Sequence, residues 1–333
     1  RVLDARHGLE TRAARALRER RVEPVDALLR NADLALYDAK AQGKGRWASY
    51  HPALHAAAVE RLSLETALRR GLERDEFRLV YQPIVDLETG RPLGVEALVR
   101  WHHPERGVVA PMTFIPLAEE TGLIVPLGRW VLEEACRTGA RWARGTDGQA
   151  LGYLTVNISG RQLGQPDFVE TVTAALAASG MPPAFLVLEI TESAVVQQPE
   201  LALTRLEALK ALGVRLAIDD FGTGYSSLSY LNKFPIDVLK IDKSFVDQVT
   251  DGGQPTALTS AIIALGDALS LRTVAEGVES AEQLAALRGM GCAAGQGFLF
   301  ARPLDAHAVD ALLAAPLPPP GAPAADTDGW RDA

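Results

Sequence analysis

Cysteine and histidine are scarce in this chain, and neither is arranged as a metal-binding motif. The 333 residues include only two cysteines, Cys136 and Cys292, and six histidines, of which only His102 and His103 are neighbours. So few cysteines argue against a disulfide framework or a zinc site, and we expect buried free thiols in a reducing compartment. We therefore expect a cytoplasmic protein, with His102 and His103 in a solvent-facing loop.

Positive charge and long apolar runs are also scarce. The net charge of −8 argues against a bulk binder of nucleic acid, which would show a basic face, but it is compatible with one small anionic ligand. No apolar run reaches the roughly 18 residues that a membrane-spanning helix needs, so we expect no membrane span. The hydrophobic content of 47% is enough for a full globular core.

The run from Asp219 to Tyr225, DDFGTGY, places two adjacent carboxylates on a glycine-containing turn after an apolar strand. Strand alternation puts Asp219 on the same face as Ala217, opposite Leu216 and Ile218. Divalent cations, a shared proton or full solvation would relieve the repulsion between adjacent carboxylates. A solvated turn would carry the same residue types. By itself, this run leaves a metal site and a plain turn open.

The same design recurs in other strand-like apolar runs, each with a polar residue at or near its C-terminal end. The runs cover 92–99, 151–158, 185–190, 214–218, 236–241, 272–278 and 295–300, and their polar residues are Glu96, Asn157, Glu189, Asp219, Lys240, Glu276 and Gln296. From Asn157 onward these residues are 32, 30, 21, 36 and 20 positions apart, and helical patterns at 199–212 and 256–271 lie between them. This is the spacing of βαβ units in a parallel sheet.

We predict an α/β fold, a TIM-like (β/α)8 barrel, because its strand ends converge on a single mouth. The alternative is a doubly wound open sheet, whose site would draw on few strands. The converging ligand set consists of carboxylates and one carboxamide. This oxygen-rich set suits Mg²⁺ or Mn²⁺ and not Zn²⁺.

An ordered series of motifs resembles the EAL-domain phosphodiesterases, which cut cyclic diguanylate (c-di-GMP), a bacterial second messenger, to the linear dinucleotide pGpG. The series runs from about Leu62 to Leu313 and comprises YQPI at Tyr81, EALVRW at Glu96, NIS at Asn157, EITE at Glu189, DDFGTGYSSL at Asp219, KID at Lys240, AEGVE at Ala275 and GQG at Gly295. The resemblance implies metal-dependent hydrolysis of c-di-GMP.

The resemblance also implies the metal ligands. Glu96, Asn157, Glu189 and Asp219 would bind one divalent ion, and Asp219 and Asp220 would bind a second. Two Mg²⁺ or Mn²⁺ ions are therefore expected, and they would offset the carboxylates gathered in the mouth.

Glu276 matches the general base of the family, and Lys240 would orient the attacking water and stabilise developing charge. Lys240 could instead be a structural counter-ion to Asp242 or Asp219.

The remaining motif residues match substrate or loop contacts. Gln82 and Arg100 would contact the substrate, Gln296 would lie at the rim of the site, and Glu192 would brace the DDFG loop. The alternative for Arg100 is a surface ion pair. Glu279 also resembles a site residue, but it could simply cap a helix start.

Four segments are predicted: a truncated remnant of a GGDEF (diguanylate cyclase) domain at 1–50, a linker helix at 51–75, the EAL barrel at 76–314 and a disordered Pro/Ala-rich tail at 315–333. The remnant is predicted from the apolar helical pattern at 25–47 with its GKGR run. The alternative is an ordinary amphipathic helix. In the family, the DDFG loop couples metal binding to a homodimer interface, so we expect a homodimer.

Three functions stay open at this point. The chain could hydrolyse c-di-GMP, bind c-di-GMP or a partner protein without cutting it, or act as a barrel metalloenzyme on another substrate. Hydrolysis is favoured because every expected ligand position is filled.

Overall fold

The computed structural model describes residues 29, 31–32, 35–36, 49–50, 52–145, 151–222, 233–250 and 252–314. The chain divides into two units, Arg1–Arg69 and Arg70–Ala333. Helix α1 spans Pro52–Glu73, where a linker helix is expected. Most of the predicted GGDEF remnant at 1–50 and all of the tail at 315–333 lie outside the described residues, so the four predicted segments stay a prediction.

One sheet of nine strands forms within the described part of the second unit. The strands are β1 (Phe77–Asp86), β2 (Pro92–His103), β3 (Gly107–Val109), β4 (Tyr153–Ile158), β5 (Leu186–Thr191), β6 (Arg215–Phe221), β7 (Val238–Ile241), β8 (Arg272–Ala275) and β9 (Ala294–Gly295). The order β1-β9-β8-β7-β6-β5-β4-β2-β3 closes on itself because β1 also pairs with β2. All strands except β3 form a closed barrel, which confirms the predicted fold class over an open sheet.

Strand β1 runs against the direction of the rest of the barrel. It is antiparallel to both of its neighbours, β2 and β9, whereas β2 and β4 to β9 pair in parallel. The segment between β1 and β2, residues 87–91, is much shorter than the dozen or so residues that a parallel crossover needs. The barrel therefore begins with a hairpin instead of a βα unit.

Helices cover the outside of the barrel. They are α2 (Pro111–Thr121), α3 (Ile124–Arg144), α4 (Gly160–Leu163), α5 (Phe168–Ser179), α6 (Glu192–Gln197), α7 (Pro199–Ala211), α8 (Lys243–Asp247), α9 (Gly253–Ala268), α10 (Ala281–Gly289) and α11 (Ala306–Ala314). In α3 the buried residues Leu127, Val131 and Ala135 recur every four positions, which gives the helix one apolar face for the core. Across the described ranges, no helix combines the length and apolarity needed to span a bilayer.

Strand alternation separates the barrel interior from the helix-covered exterior. A buried apolar cluster contributed by the barrel strands consists of Ile84, Tyr153, Val187, Ala217, Val238, Val274 and Ala294. Two positions beyond Val187, Ala217 and Val238 along their strands come Glu189, Asp219 and Lys240. Residues two apart on a strand share a face, so these polar side chains lie above the apolar layer and face the mouth.

Two predictions about local structure are wrong. The strand expected at 295–300 consists only of Ala294–Gly295, because the chain then turns at Gly297, where a Cβ atom would lie 2.1 Å from the Val278 carbonyl oxygen. His102 and His103 belong to β2 instead of a loop, because they pair with Val108 and Gly107 of β3.

Both cysteines are buried free thiols, as the sequence predicts. Burial raises the pKa of Cys136 to about 12, and burial likewise raises the pKa of Cys292. Neither thiol is therefore set up to act as a nucleophile.

Gly94 on β2 makes room for the ring of Tyr153 inside the barrel. A Cβ atom at residue 94 would lie 2.6 Å from two Tyr153 ring carbons and 2.7 Å from the Tyr153 carbonyl oxygen. We expect Gly94→Ala to lower the free energy of unfolding by about 1–3 kcal/mol, the usual cost of overpacking a core. Urea denaturation measures this difference.

Gly289→Ala is the matched control, because, apart from its own helix and chain neighbours, no described residue has an atom within 4 Å of a Cβ added at this position in α10. It should leave stability unchanged or raise it, since alanine is the better helix former. Equal stability of the two variants would contradict the packing argument.

Candidate active site

Each of the eight barrel strands, or the residue directly after it, contributes one polar side chain to the interior of the mouth. In strand order along the chain these are Gln82, Glu96, Asn157, Glu189, Asp219, Lys240, Glu276 and Gln296. Six of them are buried, Glu276 is partly buried and Asn157 is exposed. The structure thus brings together residues that lie far apart in sequence.

The ammonium group of Lys240 lies at the centre of this ring. Its Nζ atom is within ion-pair distance of four carboxylates: 2.6 Å from Glu276 Oε1, 2.8 Å from Glu189 Oε2, 3.3 Å from Asp219 Oδ1 and 3.6 Å from Glu96 Oε2. The Lys240 side chain is only 1% exposed. This lysine is therefore the common counter-charge of the carboxylate ring.

The alternative pairing of Lys240 with Asp242 is wrong. Asp242 instead caps the start of α8, where its Oδ1 accepts a hydrogen bond from the Ser244 amide at 3.0 Å. Because strand residues alternate in direction, Asp242 would share the inward face with Lys240 only if β7 continued past Ile241, and the strand ends there.

The carboxylates of the ring differ in their affinity for protons. Burial raises the pKa of Glu189 well above its usual range despite the opposing attraction of Lys240, and nearby Glu96 and Asp219 raise it further. Burial also raises the pKa of Glu276, to about 8, again against Lys240. Burial would raise the pKa of Glu96 too, but Lys240 and hydrogen bonds from neighbouring amides bring it below its usual range.

Three amide side chains fix one side of the ring. Asn157 Nδ2 and Gln296 Nε2 each donate to Glu96 at 2.6 Å, to Oε1 and Oε2 respectively. Gln296 Nε2 also donates to Gln82 Oε1 at 3.0 Å, and Gln82 Nε2 donates to the Ala301 carbonyl at 3.2 Å. Gln296 was expected at the rim of the site; it is 5% exposed, and its hydrogen bond orients Glu96.

The carboxylates of Asp219, Asp220 and Glu276 form a second group at the mouth. One oxygen from each lies within 4.8 Å of the other two. Asp220 has a left-handed backbone conformation, with φ of 55°, and its amide donates to Asp219 Oδ1 at 3.0 Å. This bend lets two consecutive residues contribute to one group, and Glu276, which directly follows β8, lies beside them.

This donor set fits hard divalent ions such as Mg²⁺ or Mn²⁺. It offers five carboxylates, from Glu96, Glu189, Asp219, Asp220 and Glu276, while Lys240 supplies a single positive charge. The Asn157 side chain donates through Nδ2, which leaves its Oδ1 as a neutral oxygen ligand. Oxygen donors and excess negative charge are the features such ions require.

Glu192, the first residue of α6, contacts the DDFG turn. Its Oε2 atom accepts a hydrogen bond from the Gly222 amide at 3.2 Å, and Gly222 has a φ of 97°, which favours glycine. Residues 223–232, which complete the loop expected to form a homodimer interface, lie outside the described residues.

Neither Arg100 nor Glu279 makes the structural contact that was its alternative, a surface ion pair for Arg100 and a helix cap for Glu279. Arg100 Nη1 donates to the Val99 carbonyl at 3.0 Å, and the described residues include no ion pair of Arg100. Glu279 does not cap α10, because the capping side chain is Ser280. Glu279 instead pairs with Lys243 at 2.9 Å.

Lys243 was not among the residues predicted from the sequence. The only signal for it was the run KIDK, in which a second lysine follows Lys240 after three positions at a strand end.

Comparisons with known proteins agree with this geometry. The EAL domain family model matches residues 65–303. The bifunctional diguanylate cyclase/cyclic di-GMP phosphodiesterase MucR of Pseudomonas aeruginosa is 45% identical over 287 residues, which cover 86% of this chain and 42% of MucR. An uncharacterized signaling protein of Caulobacter vibrioides is also 45% identical over 287 residues, which cover 86% of this chain and 34% of that protein. The chain thus spans less than half the length of these relatives.

Solved structures show the same architecture. The PaMucR phosphodiesterase in its c-di-GMP complex superposes with a TM-score of 0.71 at 44% identity, covering 74% of this chain and 99% of that one. The FimX EAL domain from Pseudomonas aeruginosa bound to c-di-GMP gives a TM-score of 0.66 at 27% identity, covering 72% of this chain and 96% of that one. From the family match over residues 65–303 and the barrel that carries these side chains, we conclude that this chain belongs to the EAL-domain family.

Proposed function

We propose that this chain hydrolyses c-di-GMP to linear pGpG with the help of two divalent metal ions. The observation that carries the proposal is the Asp219, Asp220 and Glu276 carboxylate group, which lies beside the ring of Glu96, Glu189 and Lys240 in one mouth. The similarity to MucR and to the PaMucR complex supports c-di-GMP as the substrate.

Mg²⁺ or Mn²⁺ would be held by Glu96, Asn157, Glu189 and Asp219 at one position and by Asp219 and Asp220 at the other. Bound ions of this kind lower the pKa of water and stabilise the attacking and leaving oxygens of an in-line displacement. The chain fixes the ligands in advance, because Asn157 and Gln296 orient Glu96, and the Asp220 bend turns its carboxylate towards Asp219.

Glu276 is suited to accept a proton from the attacking water. In the metal-free chain burial raises its pKa to about 8, and bound divalent cations would lower the pKa towards neutral pH, where a general base works best. In the reaction the water oxygen bonds to phosphorus, one phosphate ester bond breaks, and the leaving oxygen takes a proton. Lys240, 2.6 Å from Glu276, can stabilise the charge that develops, while Gln82 and Arg100 would orient the diester.

Glu276→Gln tests the proposal. With c-di-GMP and Mg²⁺ or Mn²⁺, kcat should fall by about 100-fold or more, the usual contribution of a general base, while c-di-GMP still binds. Chromatography of the reaction products measures pGpG, and calorimetry measures binding. Glu170→Gln, on the exposed part of α5, is the matched control and should keep full activity.

The unaltered chain distinguishes the competing functions. Binding of c-di-GMP without turnover would identify a sensor, and absence of binding would indicate another substrate. Full activity of Glu276→Gln would remove Glu276 from the role of base.

A further inference from the structure

We propose that Lys243 is a positioning residue, which holds the loop that carries Glu276 in its working position. The loop, residues 276–280, directly follows β8, and Lys243 begins α8 just after the neighbouring strand β7. This inference rests on the proposed function, in which Glu276 accepts the proton from water.

Strand pairing brings Lys243 next to this loop. Lys240 and Ile241 of β7 pair in register with Val274 and Ala275 of β8, so the chain leaves both strands at the same height. The Glu276 amide then donates to the Ile241 carbonyl at 3.0 Å. Two residues beyond Ile241, Lys243 is therefore in reach of the residues that follow Glu276.

Lys243 touches the loop in two ways. Its Nζ atom is 2.9 Å from Glu279 Oε1 and 2.9 Å from Asp247 Oδ1, one turn further along α8. Its aliphatic stem covers Gly277, where a Cβ atom would lie 2.5 Å from Lys243 Cγ and 2.7 Å from Cδ. Gly277 has a φ of 67°, so this position needs glycine for its backbone conformation as well as for space.

The opposite side of the loop is held by backbone hydrogen bonds. The Val278 amide donates to the Gln296 carbonyl at 3.0 Å, and the Gln296 amide donates to the Ala275 carbonyl at 2.8 Å. Lys243 thus holds the loop on the side facing β7, and these backbone hydrogen bonds hold it on the side facing β9. Glu276, at the start of the loop, is held between these two attachments.

The ion pair is too exposed to matter much for overall stability. The Lys243 and Glu279 side chains are 45% and 49% exposed, and pairs of this kind contribute little to folding. Their effect should fall on catalysis instead, because small displacements of a reacting group cost far more in rate than in stability.

Lys243→Met tests the clamp, because it removes the charge but keeps most of the stem. We expect kcat for c-di-GMP to fall by about 10-fold to 100-fold, with unchanged KM and an unchanged thermal unfolding midpoint. Glu279→Gln should have the same effect, and the double variant should lose no more than either single variant. Lys243→Arg, which restores the ion pair, should recover most of the rate.

Asp247→Asn is the matched control. Asp247 is the second partner of Lys243 but lies on α8 and does not belong to the loop, so its loss should leave kcat within about twofold. A raised KM in Lys243→Met would point to substrate binding and overturn the positioning role. Additive losses in the double variant, or full activity of Lys243→Met, would overturn it as well.

The experiment separates this inference from the proposed function. If the unaltered chain hydrolyses c-di-GMP and Lys243→Met does so equally well, only the clamp is wrong. If the unaltered chain produces no pGpG, the proposed function fails and the clamp fails with it.

Discussion

Replacing Asp219 by asparagine is expected to lower the turnover of c-di-GMP by about 1,000-fold, which corresponds to about 4 kcal/mol of transition-state stabilisation. Asp219 is the residue proposed to bind both metal ions, and it also lies 3.3 Å from the Lys240 ammonium group. Asparagine has the same shape but carries no charge, so both ion positions lose attraction at once while the packing is kept.

Two measurements check this expectation. Steady-state assays with Mn²⁺ give kcat, and calorimetric titration of the substrate-free chain with Mn²⁺ should show weaker binding. Asp167→Asn is the control, since Asp167 pairs with Arg129 on the exposed outer surface. An Asp219→Asn variant that binds Mn²⁺ as tightly as the unaltered chain would rule out the proposed shared ligand.

Replacing Lys240 by methionine should lower the free energy of unfolding by about 3–5 kcal/mol in metal-free buffer. The change leaves Glu96, Glu189, Asp219 and Glu276 close together without their shared ammonium group. Burial already raises the pKa of Glu189, so this carboxyl would take up a proton and limit the cost. Divalent ions should restore part of the lost stability, because they bind the folded chain.

Urea denaturation in chelator and in Mg²⁺ measures both effects. Lys210→Met is the matched control: Lys210 pairs with Asp237 at 2.8 Å, but both side chains are about one-third exposed. Its loss should cost only about 0–1 kcal/mol. Equal destabilisation by the two substitutions would show that Lys240 is not the counter-charge of the ring.

The inward direction of most site residues could be predicted because strand alternation is a local property. Ala217 and Asp219 were expected to share a face, and the structure places both side chains in the barrel interior. At Gln296 the side chain also lies in the mouth, but the length of its strand was predicted wrongly. Strand β9 has two residues, and the chain turns at Gly297, where a Cβ atom would lie 2.1 Å from the Val278 carbonyl oxygen.

Distances between elements could not be predicted from spacing. The sequence indicated carboxylates around a mouth, but only the closed barrel shows that Lys240 reaches four of them. The contact between Lys243 and Gly277 depends on a left-handed backbone angle and on the register of two neighbouring strands, neither of which a local pattern encodes. The reversed direction of β1 could not be predicted either. It follows from the short connection between β1 and β2, and short turns of this kind also occur in many ordinary loops.

The contribution of one polar side chain by each barrel strand ties the chemistry to the architecture. Loss of a single residue inside β5 would turn Glu189 outward and bring a neighbouring apolar side chain into the mouth, because the pleat repeats every second residue. Insertions are therefore tolerable in the connections but not within the strands. Divergent copies of such a barrel can lose catalysis through one substitution at the mouth. They cannot move the catalytic site elsewhere without changing several strands at once.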